Sequence, residues 1–362
     1  MTAPAMGLDP AQVEALVKTI HCLMANVCDL CGNSIAFSRN DIVRDGAQGF
    51  LAAVEAHRVS SLIDNHATRL DLPEPMGAEL HSMAVNEAML ALALAKETVH
   101  AWSTLASAGL SALVFKGVAL SVQTTGSVTA RGNGDIDLLV RPADVLRAVQ
   151  ALTAAGWQLA EISTRRLERD WRWLQWGGRE LVMVGPRSQI DVHWQVAKER
   201  GLLPPAETLL ERATEVEILG ERIATLGLGD SLLAACYHLN HDGFRSLRQC
   251  VDVIRLLQLQ EHPVHWTGRD QRVGLEAANF AVQLLGGVSQ ERLAAMGIPQ
   301  CATPLAHKRW AQLSCHPEYG YRSPGVRGFW DRIVDNTRHG STITELARRG
   351  AVRIATRKRA DI

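Results

Sequence analysis

Apolar positions recur at helical spacing through the first third of the chain. This spacing predicts helices at residues 11–30, 46–57, 59–70 and 77–108. Pro73 and Pro75 separate the last two helices, and Gly109 is a helix stop. The pattern therefore predicts an N-terminal helical region at residues 1–109.

The spacing of the apolar positions changes between residues 110 and 228, where it predicts alternating strands and helices. Residues 113–117 predict a strand that runs into a turn, and a short helix follows. Further strands are predicted at 135–140, 157–162, 180–184 and 189–194, with a helix at 145–155. The tight turn at 185–188 sets the last strand antiparallel to its predecessor.

Helical spacing returns after residue 228. It predicts a helical domain at residues 229–300 and a further helical, basic segment at 301–362. We therefore predict an α+β fold, in which a small mixed β-sheet is flanked by N-terminal and C-terminal helical regions.

Two carboxylates stand at alternate positions of the strand at 135–140. A strand's two-residue period places Asp135 and Asp137 on one face, while Ile136 and Leu138 face a core. Two like charges held a few Å apart favour a divalent cation between them. The alternative is an ordinary solvated strand end, which the neighbouring Lys116-Gly117 turn disfavours.

A third carboxylate lies on the strand at 189–194. Ile190, Val192 and Trp194 take one face of this strand, which leaves Asp191 and His193 on the other. If this strand lies beside the strand at 135–140, three carboxylates converge. Two metal ions held there would clamp a triphosphate and lower the pKa of an attacking hydroxyl.

These motifs resemble a known family. The matching segments are Lys116-Gly117-x-Ala119-Leu120, Arg131-x3-Asp135-Ile-Asp-Leu-Leu-Val140, Ile190-Asp191-Val-His193-Trp194, Leu232-x5-His238-x2-His241 and Val251-Asp252-Val-Ile-x-Leu-Leu257. Together they resemble the uncharacterised nucleotidyltransferase family of bacterial chains, a branch of the polymerase-β-like nucleotidyltransferase superfamily. The resemblance covers roughly residues 45–290.

The resemblance implies a site and its ligands. Asp135, Asp137 and Asp191 would be the catalytic and metal-binding triad, with Mg²⁺ or Mn²⁺ as cofactor and an NTP as substrate. Residues 110–228 would form the nucleotidyltransferase core, and residues 229–300 would wall the nucleotide cleft.

The turn before the acidic strand departs from the superfamily pattern. Most of the superfamily carries Gly-Ser or Gly-Gly where this chain has Lys116-Gly117, and the gap to Asp135 is longer. A lysine is a point charge suited to phosphate, and Gly117 permits close backbone approach. The turn can therefore cradle phosphates at the N-terminus of the following helix, while the donor nucleotide stays open.

Arg131 and His193 are further candidates. Arg131 lies in a Gly-rich loop before the acidic strand, where it would reach a phosphate or would be an ordinary surface arginine. His193 would hydrogen-bond Asp191, orient a metal ligand or act on a substrate proton, or would be a core histidine satisfied by a backbone carbonyl. We count both among the nucleotide-binding candidates.

The segment at 163–177 interleaves arginine and tryptophan. Its members are Arg165, Arg166, Arg169, Arg172, Trp171, Trp173 and Trp176. This composition would contact nucleotide bases or a peptide, or the tryptophans would seal a helix onto the sheet while the arginines stay solvated. At the end of the helix that begins near residue 229, His238, His241 and Asp242 offer a metal site or ordinary loop hydrogen bonds.

Composition excludes several classes of protein. The 362 residues are 47% hydrophobic and 21% charged, with a formal net charge of zero, so no bulk attraction to nucleic acid or membrane is implied. The exception is a basic tail from Arg348 to Arg359, which is a solvated helix end or a contact for an acidic partner or RNA. No apolar run is long enough to cross a bilayer and no signal peptide is recognised, so we expect a cytoplasmic protein without a membrane partner.

Cysteine usage fits reduced thiols. Seven cysteines at irregular spacings do not suggest a disulfide framework. Cys28 and Cys31, with Cys22 and His21 upstream, would form a zinc knuckle or redox pair, but helical periodicity there favours buried cysteines.

Taken together, we expect a Mg²⁺-dependent enzyme that moves an NMP from an NTP to an acceptor hydroxyl or phosphate. Members of the family that the chain resembles are often associated with natural-product clusters, which suggests a peptide or small-molecule acceptor. The alternatives are a catalytically silent nucleotide- or peptide-binding scaffold, and a toxin that modifies tRNA. The base, the acceptor and the oligomeric state stay open.

Overall fold

The computed structural model of the chain describes residues 47–303, apart from 66, 68–71, 200, 245, 265, 267 and 302. The predicted helix at 11–30, the Cys28–Cys31 motif and the basic tail lie outside the described residues. They stay predictions.

A five-stranded mixed sheet lies at the centre of the described residues. Its strands are β1 (Ala112–Val114), β2 (Ile136–Val140), β3 (Gln158–Leu159), β4 (Glu180–Val184) and β5 (Gln189–His193). They are ordered β1-β2-β5-β4-β3. Only β2 and β5 pair in parallel among these neighbours, and the other pairs are antiparallel. The predicted small mixed sheet is confirmed.

Helices precede, interrupt and follow the sheet. They are α1 (Ala47–His57), α2 (Ser60–Asp64), α3 (Glu74–Ser107), α4 (Gly117–Thr125), α5 (Val145–Ala154), α6 (Thr164–Gly177), α7 (Ala206–Glu211), α8 (Leu228–His241), α9 (Leu247–Leu259), α10 (Gly268–Leu285) and α11 (Gln290–Ala295). The α+β class is therefore confirmed. None of the helices in the described part of the chain is long and apolar enough to cross a membrane.

The long helix α3 joins two hydrophobic cores. Its first half contributes Met76 and Leu80 to a core shared with α1, α2 and the helices α8 to α11. Its second half contributes Ala101 and Leu105 to a core beneath the sheet, where α5 also packs. The N-terminal and C-terminal helical regions therefore pack against each other, and α3 links them to the sheet.

Two elements differ from the sequence prediction. Helix α3 begins at Glu74 rather than at residue 77, because Pro75 occupies the first turn, where no backbone N–H is required. Strand β3 spans only Gln158–Leu159 instead of 157–162, and it pairs with β4 at the edge of the sheet. Trp157, which directly precedes β3, is buried, so the first residue of the predicted stretch belongs to the hydrophobic core.

A hairpin that we did not predict follows the sheet. Its strands are β6 (Thr214–Ile218) and β7 (Glu221–Thr225), and they pair antiparallel across a two-residue turn. Both turn residues have positive φ, 53° at Leu219 and 86° at Gly220. The tightest hairpin turns need this conformation and favour Asn-Gly. Leu219 is a poor residue for the position, and its side chain is 52% exposed.

We therefore expect Leu219→Asn to stabilise the protein by about 0.5–1 kcal/mol, because asparagine tolerates positive φ better than leucine. Urea denaturation followed by circular dichroism measures the change. Leu219→Ala is the matched control and should be close to neutral, since alanine carries the same Cβ penalty. Equal stability of the asparagine and alanine variants would contradict the prediction.

Candidate active site

The turn between β1 and α4 has an unusual backbone. Lys116 and Gly117 have φ of 66° and 47°, and α4 begins at Gly117. A Cβ on Gly117 would lie 3.3 Å from the backbone oxygen of Asp135, so the position favours glycine on two grounds. Positive φ at a lysine costs free energy and often marks a functional position. The predicted Lys-Gly turn before a short helix is confirmed.

Asp137 is buried at the centre of the site. Its Oδ1 lies 3.0 Å from Lys116 Nζ and 3.0 Å from His193 Nε2. Burial opposes ionisation, but Lys116 and His193 together hold the pKa of this carboxyl well below its usual range. Asp137 therefore carries a full negative charge inside the protein.

Strand pairing brings Asp191 beside Asp137. The two residues are direct partners in the parallel β2–β5 pair, as the sequence interpretation required. Gln189 Nε2 donates to Asp191 Oδ1 over 3.0 Å, and burial raises the pKa of Asp191. The adjacency of the two acidic strands is thus a feature of the fold.

Asp137, Asp191 and His193 form the metal-capable group within the described residues. Each offers a ligand atom, and the three atoms lie within 4.8 Å of one another. Two carboxylates and an imidazole are a donor set that divalent cations accept. The residues present therefore fit a divalent cation, although Lys116 already contacts one of the carboxylates.

His193 contacts a residue that sequence reasoning missed. Its Nδ1 lies 3.1 Å from Glu180 Oε2, without the geometry of a hydrogen bond, and its ring packs edge-on against Phe115. Glu180 is opposite His193 in the β4–β5 pair. Burial raises the pKa of Glu180, but His193 and Arg179 outweigh burial and lower it. Glu180 is the first residue of the strand predicted at 180–184, and this position was the signal by which the sequence could have identified it.

Asp135 is not part of the metal-capable group found among the described residues. It precedes β2 and lines a cavity of about 180 Å³ together with Lys116, Gly117, Arg131 and Asp137. Burial and the neighbouring Asp137 raise its pKa. The structure thus brings Asp137 and Asp191 together with His193, and both Asp135 and Asp137 line the cavity. A role for Asp135 as a metal ligand stays a prediction.

Arg131 is held by the helical region. Its Nε donates to Asp252 Oδ1 over 2.8 Å and its Nη2 to Oδ2 over 2.9 Å. Its Nη1 donates to Asn133 Oδ1 over 2.7 Å. Asp252 thus pairs with Arg131 across the cavity and not with Arg248, which lies four residues earlier on its own helix. A contact from Arg131 to phosphate stays a prediction.

Helices α8 and α9 form the opposite wall of the cavity. The wall residues are Ser231, Ala234, Ala235, His238, Asp242, Arg248, Gln249 and Asp252. His241 lies 3.2 Å from Asp242, and neither residue belongs to the metal-capable group. Arg248 donates from Nη1 to the backbone oxygen of Gly132. We call this surface the α8–α9 wall, and we interpret it as the side of the cavity that faces Asp135 and Asp137.

Helix α6 shows both features that its sequence allowed. Trp171 packs edge-on against Trp194 at the sheet, with ring centroids 5.0 Å apart. Trp173 and Trp176 are 43% and 37% exposed, and Arg172 is exposed beside them. One tryptophan therefore seals the helix onto the sheet, and the other two remain on the surface.

Comparison with known proteins identifies the family. The family model described as uncharacterised nucleotidyltransferase matches residues 45–285, well over half of the chain, and the chain belongs to this family. No curated protein matches the chain. A similar solved structure is an antigenic nucleotidyltransferase-like protein from Paracoccidioides brasiliensis, with 12% identity and a TM-score of 0.36 over 60% of this chain and 96% of that one.

The Arg131–Asp252 pair should be important for stability. We expect Asp252→Asn to lower the free energy of unfolding by about 3 kcal/mol, because it leaves a buried guanidinium without its counter-charge. Urea denaturation measures the loss. Glu215→Gln removes one partner of an exposed ion pair with Arg222 and should change stability by less than about 0.5 kcal/mol. A similar small effect for both variants would show that the buried pair does not stabilise the fold.

Proposed function

We propose that this member of the uncharacterised nucleotidyltransferase family transfers an NMP from an NTP to an acceptor hydroxyl or phosphate, with Mg²⁺ or Mn²⁺ as cofactor. One observation carries the proposal. Asp137, Asp191 and His193 converge within 4.8 Å beside a strained Lys116-Gly117 turn at a helix N-terminus. A cluster of metal-ligand types beside a backbone suited to phosphate is what nucleotidyl transfer requires.

The carboxylates and the histidine would hold the cation. Asp137 and Asp191 would be its ligands with His193 beside them, and the family resemblance adds Asp135 as a further ligand. When bound, a divalent cation neutralises phosphate charge and lowers the pKa of an attacking hydroxyl. From the same resemblance we also propose that the catalytic core belongs to the polymerase-β-like superfamily.

The remaining residues would bind phosphate and move the proton. Lys116 brings a positive charge into the cavity, and the backbone N–H groups at the start of α4 are available to phosphate oxygens. Arg131 lines the same cavity, where Asp252 holds its guanidinium. Asp191 is partly exposed with a raised pKa, so it is the carboxylate suited to accept the proton of the acceptor hydroxyl.

A catalytically silent nucleotide- or peptide-binding scaffold is the second candidate. The contact between Lys116 Nζ and Asp137 favours it, because the carboxylate at the centre of the site already has a positive partner at 3.0 Å. A nucleotide would then bind without turnover. A peptide or small-molecule acceptor and a tRNA acceptor belong to the enzyme hypothesis, and the basic tail that would favour tRNA lies outside the described residues.

Label transfer tests the proposal. Purified protein is incubated with Mg²⁺, each α-³²P-labelled NTP and candidate acceptors, and we expect one NTP to label an acceptor. Asp137→Asn and Asp135→Asn should each lower the rate by at least about 100-fold, because each removes a charge from the proposed catalytic group.

The matched control is Asp64→Asn, which changes a carboxylate on α2 that pairs with the exposed His81. It should keep the wild-type rate, and circular dichroism should show that all variants are folded. Nucleotide binding by the wild type without label transfer to any acceptor would replace the enzyme hypothesis with the scaffold hypothesis.

Metal removal gives a separate prediction. EDTA should abolish label transfer, and added Mg²⁺ or Mn²⁺ should restore it, since the proposed reaction needs the cation. Added Mn²⁺ should also raise the thermal midpoint of the wild type and leave that of Asp137→Asn unchanged. Full transfer in EDTA would contradict the metal dependence.

A further inference from the structure

Three polar atoms without a hydrogen-bond partner belong to side chains of the α8–α9 wall. They are Nε of Arg248, Nε2 of His238 and Oε1 of Gln249, and all three are buried without a hydrogen bond to a described residue. All three side chains line the cavity that Asp135 and Asp137 also line. Unsatisfied buried polar groups are costly and uncommon, so several on one cavity wall indicate a bound ligand.

The two arginines of this cavity differ in what they offer a ligand. Arg131 uses Nε, Nη1 and Nη2 on Asp252 and Asn133, so each nitrogen of its guanidinium already has an acceptor in the protein. Arg248 uses Nη1 on the backbone oxygen of Gly132, and its Nε has no partner within the described residues. Arg248 therefore has an N–H donor that the protein does not use.

The charges around Arg248 also favour an anion. Asp252 already serves Arg131 through two hydrogen bonds, and Arg248 stands beside this neutralised pair. Burial, and next the nearby Arg131, lower the pKa of Arg248 to about 9, and they outweigh the opposite effect of Asp252 and Asp135. An anion in the cavity would compensate this charge, whereas Lys116 is already paired with Asp137.

We propose that Arg248 is the residue that binds the polyphosphate chain of the nucleotide, and that Arg131 is a positioning residue that fixes the loop at 131–134 to α9. The proposal rests on the proposed function for the identity of the ligand as an NTP. Its chemistry is that of a guanidinium fork on phosphate oxygens, where an arginine is preferred to a lysine. Asp242 accepts from Gln249 Nε2 over 2.6 Å, which leaves Gln249 Oε1 as an acceptor for a donor group of the nucleotide rather than for its phosphates.

Calorimetric titration of the full chain with inorganic tripolyphosphate tests the proposal without requiring turnover. We expect the wild type to bind, and Arg248→Gln to bind at least about tenfold more weakly. Arg248→Lys keeps the charge without the fork and should fall between the two. Arg222→Gln, on the exposed hairpin strand β7, should bind within about twofold of the wild type.

Three outcomes would overturn the proposal. They are no tripolyphosphate binding by the wild type, wild-type binding by a folded Arg248→Gln, and equal weakening by Arg222→Gln. If Arg248→Gln does not fold by circular dichroism, Arg248→Lys decides, and wild-type affinity in that variant would refute a role for the fork.

The same variants separate this proposal from the proposed function. Arg248-dependent tripolyphosphate binding without label transfer from any NTP would leave the phosphate site standing and remove the enzyme hypothesis. Label transfer that Arg248→Gln leaves unchanged, with an unchanged KM for the NTP, would remove the phosphate site and leave the enzyme hypothesis.

Discussion

A buried carboxylate must be compensated, and the arrangement around Asp137 follows from this requirement. Asp137 is almost wholly buried, and its Oδ1 is contacted by Lys116 from the β1–α4 turn and by His193 from β5. Leaving such a charge unpaired would cost several kcal/mol, roughly as much as a small domain can spare. The turn, the acidic strand and the neighbouring strand are thus held in one geometry by a single side chain.

Two further features keep this geometry in place. The parallel pairing of β2 with β5 sets Asp137 opposite Asp191, and β4 then places Glu180 opposite His193. Across the cavity, Asp252 on α9 binds Arg131 from the loop that leads into β2. Because α3 packs into both cores, the sheet and the α8–α9 wall share one support. The site is therefore a cleft between a sheet and a helical wall that pack on a common helix.

The polarity of the cleft is divided. On the sheet side, Asp137, Asp191 and His193 suit a cation. On the α8–α9 wall, Arg248 suits phosphate, and the wall also carries Asp242 and the Asp252 that pairs with Arg131. A nucleotide triphosphate with a divalent cation presents both kinds of charge at once. The exposed Trp173 and Trp176 on α6 lie outside this division and have no assigned role.

Local sequence patterns were enough to predict the α+β class, the Lys116-Gly117 turn and the alternation of core-facing and site-facing residues along β2 and β5. They were enough because two-residue and 3.6-residue periods follow from local backbone geometry. It also supplied Asp137, Asp191 and His193. The hairpin was missed, because Leu219 contradicts the turn chemistry that announces such hairpins. Tertiary packing was needed to show that Asp135 is not part of the metal-capable group among the described residues, that Glu180 approaches His193 and that Asp252 pairs with Arg131, 121 residues earlier, rather than with Arg248. These contacts join segments far apart in the chain, and side-chain partners at that separation depend on packing, which no local pattern encodes.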